Sequence, residues 1–131
     1  MIDREMETAP AVSGRIQGVV KVSRDNRLHW ILAPHEGWAN AGFDGSGFDT
    51  RPFLLTAVDG DSRAYSREIQ DGLASTNDFD WPWGQHAPLI LPNGRIVLFD
   101  NGDFRNYSSG TPHSRAVEYE VDEGGLTVRQ A

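Results

Sequence analysis

Pro92-Asn93-Gly94 stands between two apolar runs, Ala87-Pro88-Leu89-Ile90-Leu91 and Arg95-Ile96-Val97-Leu98-Phe99. Asn-Gly at this spacing is the strongest short-range signal for a β-hairpin, because both residues accept the positive φ that a tight turn demands. With that hairpin fixed, the neighbouring segments read as its sheet partners. Ala116–Val121 and Leu126–Arg129 flank the turn residues Asp122-Glu123-Gly124-Gly125, and Ala116–Val121 alternates apolar and polar side chains. Such alternation packs one face and leaves the other wet. Strands near 86–92, 95–100, 115–121 and 126–130 therefore make a four-stranded antiparallel meander. Upstream, Val19–Val22 and Leu28–Leu32 face each other across a turn at Asp25-Asn26, and Ala11–Arg15 reads as a third strand. No window holds a sustained helical period; Ser62–Leu73 supports one helical turn at most.

The predicted fold class is all-β. The C-terminal meander has the size of one propeller blade, and the three upstream strands resemble most of another. Propellers close with about 4–8 blades, so roughly two blades cannot close alone. Residues 1–10 match neither pattern, 11–33 make the partial blade, and 81–131 make the complete one. Between them, 34–80 reads as a long ordered insertion: Gly37, Gly42, Gly45, Gly47, Gly60 and Gly72 alternate with Trp38, Phe43, Phe48, Phe53 and Tyr65. An extra strand is expected there at Phe53–Val58. Open sheet edges predict self-association of the isolated chain.

Charge narrows the function. Lys and Arg number 12 against 19 Asp and Glu, a net charge of −7, which argues against nucleic acid or an anionic membrane as partner. The absence of cysteine removes disulfides, thiolate metal sites and cysteine nucleophiles. The segment MIDREMETAP has no apolar run and does not read as a signal peptide. Asp59-Gly60-Asp61 and Asp100-Asn101-Gly102-Asp103 hint at calcium loops, but neither reaches the bidentate Glu that completes one. Both read as turn chemistry. His29, His35 and His113 read as structural or solvated.

The most unusual segment is Trp81-Pro82-Trp83-Gly84-Gln85-His86-Ala87-Pro88. Taken alone, it reads as core tryptophans ahead of a buried strand, with His86 closing that strand by a hydrogen bond. A lectin-like alternative would use Trp81 and Trp83 as stacking platforms for a sugar. Together with Leu91-Pro92-Asn93-Gly94, Leu98-Phe99-Asp100-Asn101-Gly102, Ser114–Tyr119, Gly14–Lys21 and Trp30–Trp38, however, the segment resembles the bacterial arylsulfate sulfotransferase family. The matches run in order from about Ser13 onward.

That resemblance implies a six-bladed propeller that moves a sulfuryl group from an aryl sulfate donor to a phenol acceptor, without a nucleotide donor, a cofactor or a metal. It places the nucleophile at His86, which would carry the group as sulfohistidine, and an anion-binding arginine at Arg15. A neutral imidazole suits the first role. A guanidinium fork suits the oxyanion. The family's His-x-Asn step just before the Arg15 segment has no counterpart in Met1–Pro10, nor is there a match for a further histidine about two blades earlier. The chain is thus expected to be a fragment and nearly inactive alone. The family is commonly periplasmic, although no address is legible here. A catalytically silent partial propeller acting as an interaction module is the competing expectation.

Overall fold

The computed structural model describes residues 6–9, 18–102 and 114–131. Its described strands form two sheets, and neither closes on itself. The first has the order β1-β2-β3: β1 (Met6–Ala9), β2 (Gly18–Val22) and β3 (Leu28–Leu32), all antiparallel. The β2–β3 turn uses Asn26 at φ 63°, the left-handed geometry that Asn tolerates. β1 lies within the ten residues set apart in the sequence, where no strand was expected. The strand expected at Ala11–Arg15 falls outside the described residues.

The second sheet contains the expected meander. β5 (Gln85–Ile90), β6 (Ile96–Asp100), β7 (Arg115–Asp122) and β8 (Thr127–Gln130) pair antiparallel in sequence order. At the Asn93-Gly94 turn, Leu91 N–H donates to Arg95 O (2.8 Å), Gly94 N–H donates to Leu91 O (2.8 Å), and Gly94 takes φ 85°. The insertion adds one strand: β4 (Thr56–Ala57) runs parallel to β8, with Thr56 beside Thr127 and Ala57 beside Val128. It is shorter than the segment Phe53–Val58 suggested, because Leu54 bridges to Ile31 of β3 instead. A single 3-10 turn (Arg51–Phe53) and one short helix, α1 (Arg67–Gln70), complete the insertion.

Side-chain alternation explains the core. Ile96, Leu98 and Asp100 on β6, Val117 and Tyr119 on β7, and Val128 on β8 all point inward. They meet Val19, Trp30 and Leu32 from the first sheet and Leu55, Ala57, Ile69, Phe79 and Trp81 from the insertion, so one core joins all three parts. β3 is buried on both faces: Trp30 and Leu32 enter this core, while Ile31 joins Ala33, Trp38 and Leu54 in a second cluster.

One expectation is corrected. β5 is not a buried strand but the edge of its sheet, with His86, Ala87 and Leu89 exposed. Its pairing with β6 is interrupted between His86 and Leu89. Pro88 has no N–H to give a ladder, and proline is tolerated in sheets at such edges and bulges.

Candidate active site

The site begins with Asp100, the last residue of β6 and fully buried. Its carboxylate accepts hydrogen bonds from the Trp83 N–H, the Gly102 N–H and Arg115 Nε, each at 2.9 Å. The Gly102 N–H also reaches Trp83 O at 2.8 Å. One side chain therefore clamps the approach to β5 against the exit of β6. Arg115 continues the network to Gln130 Oε1 (3.0 Å), Asp80 O (2.9 Å) and the Tyr119 hydroxyl (3.1 Å). Burial disfavours the Arg115 charge, but the Tyr119 oxygen and the Asp100 carboxylate outweigh it and hold its pKa above the ordinary value.

Trp81 lies deeper still. It is fully buried, its Nε1–H donates to Ile69 O (2.7 Å), and its ring meets Phe79 edge-on at 4.9 Å. This corrects the lectin-like alternative: a tryptophan with no exposed face cannot be a stacking platform for a sugar. Trp83 is half-buried and packs against the same core.

On this rigid base sits His86. It pairs with Phe99 across β5 and β6, and its ring lies 5.1 Å from the Phe99 ring. The imidazole is exposed. Its Nδ1 is 3.2 Å from Asn101 Nδ2, and the same amide nitrogen donates to Gly84 O at 2.7 Å. Asn101 O in turn accepts from Ser114 Oγ at 3.2 Å. The backbone around the ring is special on both sides, with Gly84 at φ 67° and Ala87 at φ 55°. For alanine that angle costs roughly 1–3 kcal/mol, and such strain clusters at functional sites.

Two neighbours of His86 escaped the sequence reading. Asn101 falls in the run Leu98–Gly102 that carries the family resemblance and in an acidic turn, but its link to His86 is made only by the β5–β6 register. Gln85 is buried, and neither atom of its side-chain amide has a partner among the described residues. The unpartnered amide carried no sequence signal.

The family model described as Arylsulfotransferase (ASST) covers residues 6–131. The chain belongs to the arylsulfotransferase family. It is 37% identical over 123 residues to "Arylsulfate sulfotransferase AssT" of Escherichia coli O6:H1 (strain CFT073), covering 91% of this chain and 19% of that protein. It is 32% identical over 127 residues to the protein of the same name from Lelliottia amnigena, covering 94% and 20%. The chain thus spans about one fifth of the length of these curated relatives.

Within this arylsulfotransferase segment, the site residues expected from sequence divide. His86 is placed as described, while Arg15 lies outside the described residues, as does His113. The other histidines take different positions. His35 Nε2 lies 2.7 Å from Leu55 O, and the His35 N–H donates to Gln70 O at 2.8 Å, tying it into the insertion. His29 is exposed on β3. The acidic turns spend their carboxylates on backbone: Asp59 accepts from the N–H groups of Asp61 (2.8 Å) and Arg63 (3.0 Å).

Proposed function

We propose that this chain supplies the nucleophile-bearing part of an arylsulfate sulfotransferase, with β5–β8 as one blade of a larger propeller and His86 as the group that carries sulfuryl. The observation that carries the reading is the exposed His86 ring, held at Nδ1 by an amide on a clamped loop, in a chain whose family match runs from residue 6 to residue 131. An exposed imidazole on a rigid support can meet a small anionic ester without first opening the core. Sulfuryl transfer needs little covalent machinery beyond the nucleophile; as in phosphoryl transfer, positioning and cationic donors do most of the work. Arg15 is the proposed cation on the sulfuryl oxygens. The substrates are an aryl sulfate as donor and a phenol as acceptor.

The test grafts residues 6–131 into a full-length relative and incubates the graft with an aryl sulfate and a phenol. Intact-mass spectrometry should detect a sulfo adduct with donor alone, and phenol should discharge it. His86→Asn should abolish the adduct and donor cleavage together. An adduct that survives His86→Asn removes His86 from the chemistry. A well-folded graft with no adduct and no turnover supports the silent interaction module instead.

A further inference from the structure

The second sheet ends on one side at β5, which carries His86, and on the other at β4. Beside β4 lies an open cavity of about 530 Å³, between the insertion and the β7–β8 turn, that the proposed chemistry leaves unused. Its size falls within the roughly 300–1,000 Å³ of small-molecule sites. We propose that this cavity is a second binding site, for a small oxyanion that carries an apolar ring.

Two of its walls are fixed by hydrogen bonds. Leu55 O can only accept, so His35 Nε2, 2.7 Å away, bears a proton and donates to it. The Gln70 amide is committed to Ala57, accepting from its N–H and donating to its O, each at 2.8 Å. Neither side chain turns into the cavity without breaking such a bond. Pro52, Leu54 and Leu126 supply the apolar surface. Leu126 stands at φ 53°, left-handed backbone that a bulky residue rarely takes. Gly124 and Gly125 directly precede it, yet neither absorbs the positive angle. Strain of this kind clusters at ligand sites.

The polar groups left over are mostly cationic. Arg51 holds Asp49 through Nε and Nη2, at 2.8 and 3.0 Å, and its Nη1 has no partner among the described residues. Arg67 holds Asp71 through Nε at 3.2 Å, and both of its Nη groups are likewise unpaired. Thr56 adds a hydroxyl. The lining thus sets two guanidiniums against one carboxylate, Asp71, in a chain of net charge −7. Guanidinium N–H groups suit a sulfonate, sulfate, phosphate or carboxylate. A cation would find only Asp71, which is already paired. A ring against Pro52, Leu54 and Leu126, with its oxyanion toward Arg51 and Arg67, uses both halves of the cavity.

Benzenesulfonate is the probe, because its C–S bond offers no ester to cleave. The full chain, labelled with 15N, is titrated and followed by 1H–15N correlation. Saturable shifts are expected at the backbone N–H groups of His35, Thr56 and Leu126 and at Nε of Arg51 and Arg67. The dissociation constant should be roughly 1 mM, ordinary for so small a ligand. Inorganic sulfate, the head alone, and benzyl alcohol, the body alone, should each bind at least about tenfold more weakly. Arg51→Gln and Arg67→Gln should each weaken benzenesulfonate roughly tenfold, the loss of one charge-assisted hydrogen bond. Both arginines are exposed, so neither variant threatens the fold. Shifts that never saturate, equal binding of sulfate and benzenesulfonate, or unchanged affinity in both variants overturn the proposal. So do shifts centred on His86 and Asn101, which would place the probe at the candidate active site instead.

Discussion

Replacing Asp100 with alanine is the most informative single perturbation of the fold around the site. The change removes three hydrogen bonds accepted from described residues, at a position with no solvent exposure. The losses are unequal. Gly102 N–H keeps Trp83 O, and Arg115 keeps Gln130, Asp80 O and Tyr119. Trp83 N–H loses its carboxylate acceptor, worth roughly 1–3 kcal/mol for a buried donor. Breaking a buried pair costs about 3–5 kcal/mol when the remaining charge is stranded. The Arg115 side chain is 19% exposed and retains other acceptors, so its share falls well below that range. The total comes to about 3–4 kcal/mol. For a chain of 131 residues this lowers the melting midpoint by about 10–15 °C. Asp100→Asn keeps one oxygen for the two N–H groups and should lose only about 1–2 kcal/mol. Urea titration followed by tryptophan fluorescence measures both variants. An Asp100→Ala chain within about 1 kcal/mol of wild type would refute the clamp, and so would an asparagine variant as unstable as the alanine one.

Gly72→Ala should cost at least ~2 kcal/mol in the same assay, because left-handed backbone strains any side chain. Gly72 sits at φ +78°, and an added Cβ would lie 2.7 Å from Pro34 Cβ. Acid should weaken the joint between the two sheets. Burial raises the Glu123 pKa, but hydrogen bonds from Lys21 and from Trp30 Nε1 (3.1 Å) outweigh it and hold the carboxyl below its ordinary value. A lowered folded pKa stabilises above the unfolded value and is lost as pH falls through the folded one. Stability should therefore drop from about pH 4.5 downward, and Glu123→Gln should flatten that part of the curve in thermal melts taken across this range.

The meander was legible because each of its signals is local. Asn93-Gly94 forces a turn whatever surrounds it, and the alternation in Ala116–Val121 needs only its own residues. β4 was half-legible: the β-type run was visible, but its partner, β8, lies too far along the chain for any pattern to announce. β5 misled for the opposite reason. Its apolar composition resembles a core strand, whereas a proline, a bulge and a place at the end of the described sheet belong to an edge. At the site, His86 was found through a motif and not through physics. Its support was invisible, since the hydrogen bond from Asn101 exists only once Gln85 stands opposite Asp100. The unpartnered amide of Gln85 gives no sign in sequence at all, because glutamine is ordinarily a surface residue.

The parallel pairing of β4 with β8 also sets an order of events during synthesis. β5 to β8 can zip up hairpin by hairpin as they leave the ribosome, each joining a strand just made. β4 cannot, since Thr56 and Ala57 wait for Thr127 and Val128. Until then Leu55 and Ala57, both fully buried in the finished molecule, lack the strand beside which they are packed. Long-range closure of this kind is slow and leaves apolar surface open to other chains. A nascent chain stalled a few residues short of Thr127 should therefore be markedly more accessible to proteases across its middle third, and a natural client for a holding chaperone, than one released with β8 complete.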